Sequence, residues 1–171
     1  DGITYTDDRD ITTYSTCLRG RRALALVAQG RWDQAEQLTR QVLKSSGSPV
    51  NLLTSQVAAG LVRARRGTPG DDRFLDAAVE SATGLNEAEW IALAGSAKAE
   101  AAWLRGDIAT AGAVLAAART SIREGDVLDD AVLAVWERRL GVTAAPQCPE
   151  ALPEPLRRQV RGEFVEAARA R

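Results

Sequence analysis

The sequence contains no histidine and no methionine, and it has two cysteines and two lysines. Without histidine the chain cannot form a Ser-His-Asp triad, a Cys-His dyad, a His-Glu-x-x-His zinc site or a two-histidine iron site. The phosphate-loop pattern is also absent, because residues 67–72, which resemble it superficially, lack the lysine and are predicted to form a turn between helices. The sequence therefore predicts a protein that is not an enzyme and that uses no cofactor or metal.

The two cysteines, Cys17 and Cys148, lie far apart and form no Cys-x-x-Cys pair. They are predicted to be free thiols in a reducing compartment, with a single disulfide between them as the alternative. No signal peptide is recognised, and no apolar run approaches the roughly 20 residues that cross a bilayer. These features predict a cytoplasmic protein without membrane contact. Because the chain begins at Asp1 and has no methionine, we expect it to be a piece of a longer polypeptide.

The charge and the composition set the next limits. The formal net charge is −1, so no global field attracts nucleic acid, and no direct nucleic-acid contact is expected. Alanine is the commonest residue, whereas isoleucine, tyrosine and phenylalanine are sparse. Because alanine costs least in a helix interior and β-branched residues cost more, this balance favours helices over strands.

One pattern recurs along the chain: a large residue followed three positions later by alanine. In three of the four copies a glycine lies two residues before the large residue, and a small residue lies seven residues before each of the first three glycines. In the second copy an inserted turn displaces the glycine. The signature residues are Ala23, Gly30, Trp32 and Ala35; Gly60, Gly67, Phe74 and Ala77; Ala99, Gly106, Ile108 and Ala111; and Gly162, Phe164 and Ala167.

This pattern is typical of tetratricopeptide-like hairpins. The glycine ends the first helix with a positive φ, the alanine of the second helix packs against the small residue of the first, and the large residue fills the wedge beneath the turn. Each hairpin leaves an apolar face uncovered, so that hairpins must stack. The sequence predicts an all-α fold, a tetratricopeptide-like α-solenoid of antiparallel hairpins in a right-handed superhelix.

The predicted elements follow from this repeat and form one domain. Residues 1–140 hold three hairpins and a following helix, 141–154 form a Pro-rich loop, and 155–171 form a C-terminal helix or a partial fourth repeat. Gly162 either ends a short helix in this last segment or is tolerated within one continuous helix. The predicted helices span about 8–29, 33–45, 50–66, 71–84, 87–105, 108–124, 127–140 and 155–170.

Charged clusters have a structural and a functional interpretation. The carboxylates at Asp7, Asp8 and Asp10, at Asp71 and Asp72, and at Asp129 and Asp130 are predicted to cap helices, with an acid–base pair or a metal site as the alternative. Three arginine runs are predicted to be solvated helix faces, with phosphate or acidic peptide as alternative partners: Arg19, Arg21 and Arg22; Arg63, Arg65 and Arg66; and Arg157, Arg158 and Arg161.

In the usual tetratricopeptide register, positions one and two turns before each glycine of the first helices line a concave groove. The binding candidates in this register are Gly20, Leu24, Val57, Leu61, Ser96, Glu100 and Trp103. Trp103 has a second interpretation as a core residue, and Trp32 is predicted to lie in the core.

Three strings are similar to the repeat region of large bacterial LuxR-type, MalT-like regulators: RGRRALALVAQGRWDQA (19–35), GLVRARRG (60–67) and AKAEAAWLRGD (97–107). The resemblance covers about residues 8–140, and RGEFVEA (161–167) looks like a closing repeat. It implies a segment that relays a signal between an ATPase module and an output domain by binding a protein partner, other domains of the regulator, or a small-molecule inducer. The Walker and helix-turn-helix motifs of that family do not occur here.

Two other functions stay open at this point. A stand-alone tetratricopeptide scaffold or adaptor would lack the flanking regulator domains. A small-molecule-binding or catalytic helical domain would have a buried pocket of several hundred Å³ in which carboxylates converge with Arg63 or Lys98. An open or flat groove would count against the second alternative.

Overall fold

The computed structural model describes residues 2–9, 11–44, 47–68, 72–123, 125–142, 150 and 152–169. Within these ranges the chain forms ten α-helices and no β-strand, which confirms the predicted all-α class. The helices are α1 (Gly2–Asp7), α2 (Thr12–Ala28), α3 (Trp32–Val42), α4 (Pro49–Arg65), α5 (Arg73–Leu85), α6 (Ala88–Leu104), α7 (Ile108–Arg119), α8 (Val127–Arg139), α9 (Leu156–Arg161) and α10 (Phe164–Arg169). None of these helices has the length and apolar character needed to cross a membrane.

The helices form two compact units, Asp1–Leu85 and Asn86–Arg171. In the first unit α2 contacts α3, α4 contacts α5, and α2 and α4 contact each other. Helix α4 also lies against α3, and α1 packs on α2. Between Leu53 and Val62 every residue of α4 except Gln56 is buried, because this helix is covered on several sides. Helix α4 is therefore the centre of the first unit.

Two glycines allow the helices of the first unit to approach closely. A Cβ atom at Gly20 of α2 would overlap with Thr54 Oγ1 of α4, and one at Gly60 of α4 would overlap with Leu75 of α5. The hydroxyls of Thr54 and Ser55 are buried at the first contact and have no hydrogen-bond partner among the described residues. At both contacts glycine leaves room for a side chain of the neighbouring helix.

In the second unit α6 contacts α7 and α8, α7 contacts α8, and α9 packs between α8 and α10. An apolar cluster joins the last three helices and the segment before α9, with Leu156 and Phe164 at its edge and a core of Ala131, Ala134, Val135, Leu152 and Val160. Arg119 of α7 binds Glu137 of α8 through two contacts of 2.7 Å and also binds Asp130. These contacts, chiefly the one with Glu137, raise the pKa of the Arg119 guanidinium and link α7 to α8.

Seven predicted helices correspond to α2 through α8, with ends displaced by at most five residues. The structure adds α1, which the sequence did not predict. Gly162 has a φ of +84° and separates α9 from α10, so the alternative of a continuous last helix is wrong. Gly30, with a φ of +74°, ends its helix as predicted. Most of the predicted Pro-rich loop lies outside the described residues, and the expectation of one domain stays a prediction.

The alanines of the repeat signature are buried, as predicted, in the first and third copies but not in the second. Ala35 and Ala111 are fully buried, as are Ala23 and Ala99 of the preceding helices. In the second copy Ala77 is only half-buried. Ala78 and Leu75 take the buried positions instead, because Leu75 fills the space left by Gly60. The predicted register of this copy is therefore wrong by one residue.

The large residues of the signature also differ in burial. Trp32 is half-buried, and its indole nitrogen is enclosed without a hydrogen-bond partner among the described residues. Ile108 is 49% exposed and does not fill a wedge. Phe164 is half-buried and contacts the guanidinium of Arg139, 4.6 Å from its ring centroid. Ala167 is buried, as the pattern predicts.

One carboxylate cluster lies at a helix start, as predicted, and another does not. Asp129 and Asp130 lie in the first turn of α8, where they complement the helix dipole. Asp7, in contrast, ends α1, where it accepts a hydrogen bond from Ser15 Oγ and pairs with Arg19, 2.5 Å in each case. These bonds lower the pKa of the Asp7 carboxyl. Asp10 and Asp71 lie outside the described residues.

We predict that replacing Gly60 by alanine destabilises the protein by about 1–3 kcal/mol, because the new methyl group must displace the fully buried Leu75. Gly84→Ala is the matched control. Gly84 lies in α5 with open space around it, so alanine should stabilise the helix by about 0.5–1 kcal/mol. Urea unfolding followed by circular dichroism measures both changes. Equal effects of the two substitutions would contradict the close packing of α4 on α5.

We also predict that Leu75→Ala lowers the free energy of unfolding by about 2–5 kcal/mol, since it empties a fully buried position. Phe74→Ala should cost less, because the Phe74 ring is partly exposed. The same urea titration compares the two variants. A larger loss of unfolding free energy in Phe74→Ala than in Leu75→Ala would support the register that the sequence predicts.

Candidate functional site

The first unit contains a cleft of about 550 Å³ where α3, α4 and α5 meet. Its floor is apolar and consists of Leu43, Ala59, Val62 and Phe74. This volume falls in the range of ligand pockets, about 300–1,000 Å³. We take this cleft as the candidate site, because apolar and charged side chains line it together.

The side chains that line the cleft are strongly cationic. Five of them are basic, namely Arg40, Lys44, Arg63, Arg66 and Arg73, whereas Glu36 is the one carboxylate among the described lining residues. The C-terminal ends of α3 and α4 each add about half a negative charge, which offsets only part of this excess. The cleft is therefore a site of positive potential in a protein whose net charge is −1.

Glu36 connects two of the helices at the edge of the cleft. Arg66, directly after α4, binds it at 2.5 Å, and Arg40, one turn further along α3, binds it at 3.0 Å. Arg66 also binds Asp33 of α3. The hydrogen bond from Arg66 is the main reason why the pKa of the Glu36 carboxyl is lowered, and Arg40 contributes to the same effect. Glu36 is thus held ionised, and its role is to fix two guanidinium groups.

Phe74 holds two further cations at the opposite side. The guanidinium groups of Arg63 and Arg73 each lie 5.0 Å from the centroid of its ring. This distance is within the range of cation–π attraction, which restricts the positions of both groups. The Thr68 amide donates to the carbonyl of Arg63 at 3.0 Å and closes the end of α4 beneath them. Four arginines of the cleft are therefore oriented by protein contacts.

The predicted groove residues lie elsewhere. Gly20, Val57, Leu61 and Ser96 are buried in helix packing, and only Leu24, Glu100 and Trp103 retain partial exposure. Trp103 is half-buried and forms an edge-to-face contact with Trp136, with ring centroids 5.9 Å apart. None of the seven residues lines the cleft. Their role in binding stays a prediction.

Sequence analysis did not identify the cleft residues as a group. The sequence predicts a solvated face for Arg63 and Arg66 and a core position for Phe74, and the repeat pattern does not include Arg40 or Lys44. One signal was available: Arg40 and Lys44 are four residues apart, and Arg63 and Arg66 are three apart, so each pair lies on one helix face.

We predict that Arg66→Ala raises the pKa of the Glu36 carboxyl toward its ordinary value of 4.5. A carboxyl with a lowered pKa stabilises the folded state above its unfolded pKa, and this stabilisation is lost as the pH falls through the folded pKa. The stability contribution should be less than about 1 kcal/mol, because the pair is screened by solvent. Carbon-13 NMR titration measures the pKa, with Arg31→Ala, at the other end of α3, as the control that should leave it unchanged.

No protein-family model, no curated protein and no solved structure matches this chain. The resemblance to LuxR-type regulators accordingly stays a prediction. What the site can do follows from its own side chains, which are cations from the ends of three helices, one ion-paired carboxylate and an apolar floor. This arrangement suits the binding of an anion.

Proposed function

We propose that this chain is a non-catalytic binding domain of tetratricopeptide-like hairpins, and that it serves as the signal-sensing or protein-interaction segment of a bacterial LuxR-type transcriptional regulator in the cytoplasm. The packing of the helices supports this proposal. In the first unit the leading helices of successive pairs, α2 and α4, contact each other, and α6 and α8 do so in the second. Contacts of this kind are expected where helical hairpins stack into an extended binding surface.

The observation that carries the binding role is the cleft between α3, α4 and α5. Its polar groups are oriented guanidiniums, and its one described carboxylate is already paired with Arg66 and Arg40. General acid–base catalysis needs a group placed to exchange a proton with a substrate, and these groups are suited to hold a charge in place instead. The proposed mechanism is non-covalent, and the ligand belongs to a partner protein, to other domains of the regulator, or to a small inducer, without nucleic acid or membrane.

A small-molecule-binding domain outside any regulator is the second candidate. The pocket volume and the presence of Arg63 favour it, since both were expected of such a domain. The convergent carboxylates that were also expected do not occur among the described lining residues. A stand-alone adaptor is the third candidate and differs from the regulator only in what flanks this segment.

The reading frame around the coding segment tests the proposal. We expect a nucleotide-binding module with a Walker motif upstream, or a helix-turn-helix downstream, in the same polypeptide. If the frame carries one or both modules, a transcription assay can compare the full-length regulator with its Arg66→Ala variant. The variant should show an altered response to the inducing condition. A frame that holds neither module would overturn the regulator and leave the adaptor or the ligand-binding domain.

A further inference from the structure

We propose that the α3–α4–α5 cleft binds a small organic molecule with at least two negative charges, a phosphate ester or a polycarboxylate, and this inference rests on the sensing role proposed above. The cleft and its charge distribution carry the inference. The cations come from the last turns of α3 and α4, from the residues just after these helices, and from the first residue of α5, so that the charge is concentrated where three helix ends meet.

The chemistry of the cations indicates phosphate or carboxylate groups. A guanidinium presents parallel N–H donors that match two oxygen atoms of such a group. Arg66 is fixed by Glu36 and Asp33, whereas Arg63 and Arg73 are fixed by the Phe74 ring. A ligand that meets these side chains therefore finds them partly ordered before it binds, which lowers the entropic cost of binding.

The size of the cleft favours a compact ligand over an acidic peptide. A volume of about 550 Å³ suits a small molecule, and the apolar floor of Leu43, Ala59 and Val62 offers a surface for its carbon skeleton. An extended acidic peptide would need cations spread along a groove, whereas here they converge on one pocket. Lys44 is exposed and has no ion-pair partner among the described residues, so it is available to a ligand.

Lys44 also provides the sharpest test, because it reaches the cleft without holding the fold together. We expect pyrophosphate and citrate to bind the 171-residue chain in calorimetric titrations at low ionic strength, and Lys44→Glu to weaken both by about tenfold or more. Arg31→Glu is the matched control. It makes the same charge change at the other end of α3, outside the cleft, and should alter the affinity by less than about twofold.

The site itself is located by amide NMR shifts. Addition of pyrophosphate should perturb the amides of Thr39 and Thr68, which line the cleft, and leave those of the second unit unchanged. Raising the ionic strength from about 0.01 M to about 0.15 M shortens the Debye length from about 30 Å to about 8 Å, and an ordered site should retain measurable binding at the higher value. Circular dichroism verifies that the variants are folded.

Three results would overturn the inference. Equal weakening by Lys44→Glu and Arg31→Glu would show binding to surface charge in general. Tighter binding of a hexa-aspartate peptide than of either small anion would point to an acidic protein segment instead. Absence of binding of pyrophosphate and citrate at low ionic strength would leave the cleft without an anionic ligand. Each of these results can occur whatever the reading frame contains. A failure of the anion-binding inference is therefore distinguishable from a failure of the regulator proposal.

Discussion

The close approach of α2, α4 and α5 is the constraint on which the first unit depends. At Gly20 and Gly60 there is no room for a Cβ atom. The backbone at each glycine therefore lies directly against a side chain of the neighbouring helix. This places α4 inside the unit, and its C-terminal end, with Arg63 and the following Arg66, lies toward the ends of α3 and α5. Packing through small residues thus creates the cleft, because a wider spacing would separate the cations that share it.

The electrostatics of the cleft follow from the same geometry. Glu36 reaches Arg66 across the α3–α4 contact and brings the guanidiniums of Arg66 and Arg40 together. The repulsion between these two cations is small because the carboxylate lies between them. Phe74 does the same for Arg63 and Arg73 through its ring. A carboxylate and an aromatic ring therefore act as spacers that keep like charges close to one another.

The sequence predicts most of the helices but does not reveal the cleft, for different physical reasons. The helix ends at Gly30 and Gly162 can be predicted from the local sequence. Glycine adopts a positive φ at no steric cost, whatever the rest of the chain does. The register of the second copy is not local. Phe74 fits the aromatic position as well as Leu75 does, and only the gap at Gly60 selects Leu75. The cleft is the least local feature, since its cations come from three segments whose convergence depends on helix packing.

The composition of the cleft has a consequence for how it responds to acidity. Guanidinium groups stay protonated throughout the pH range in which proteins are folded, and the chain contains no histidine to titrate near neutrality. Glu36 takes up a proton only in acid, because its pKa is lowered. The charge offered by the arginines is thus invariant around neutral pH. Any acid sensitivity of binding near neutrality would then report the protonation state of the bound molecule.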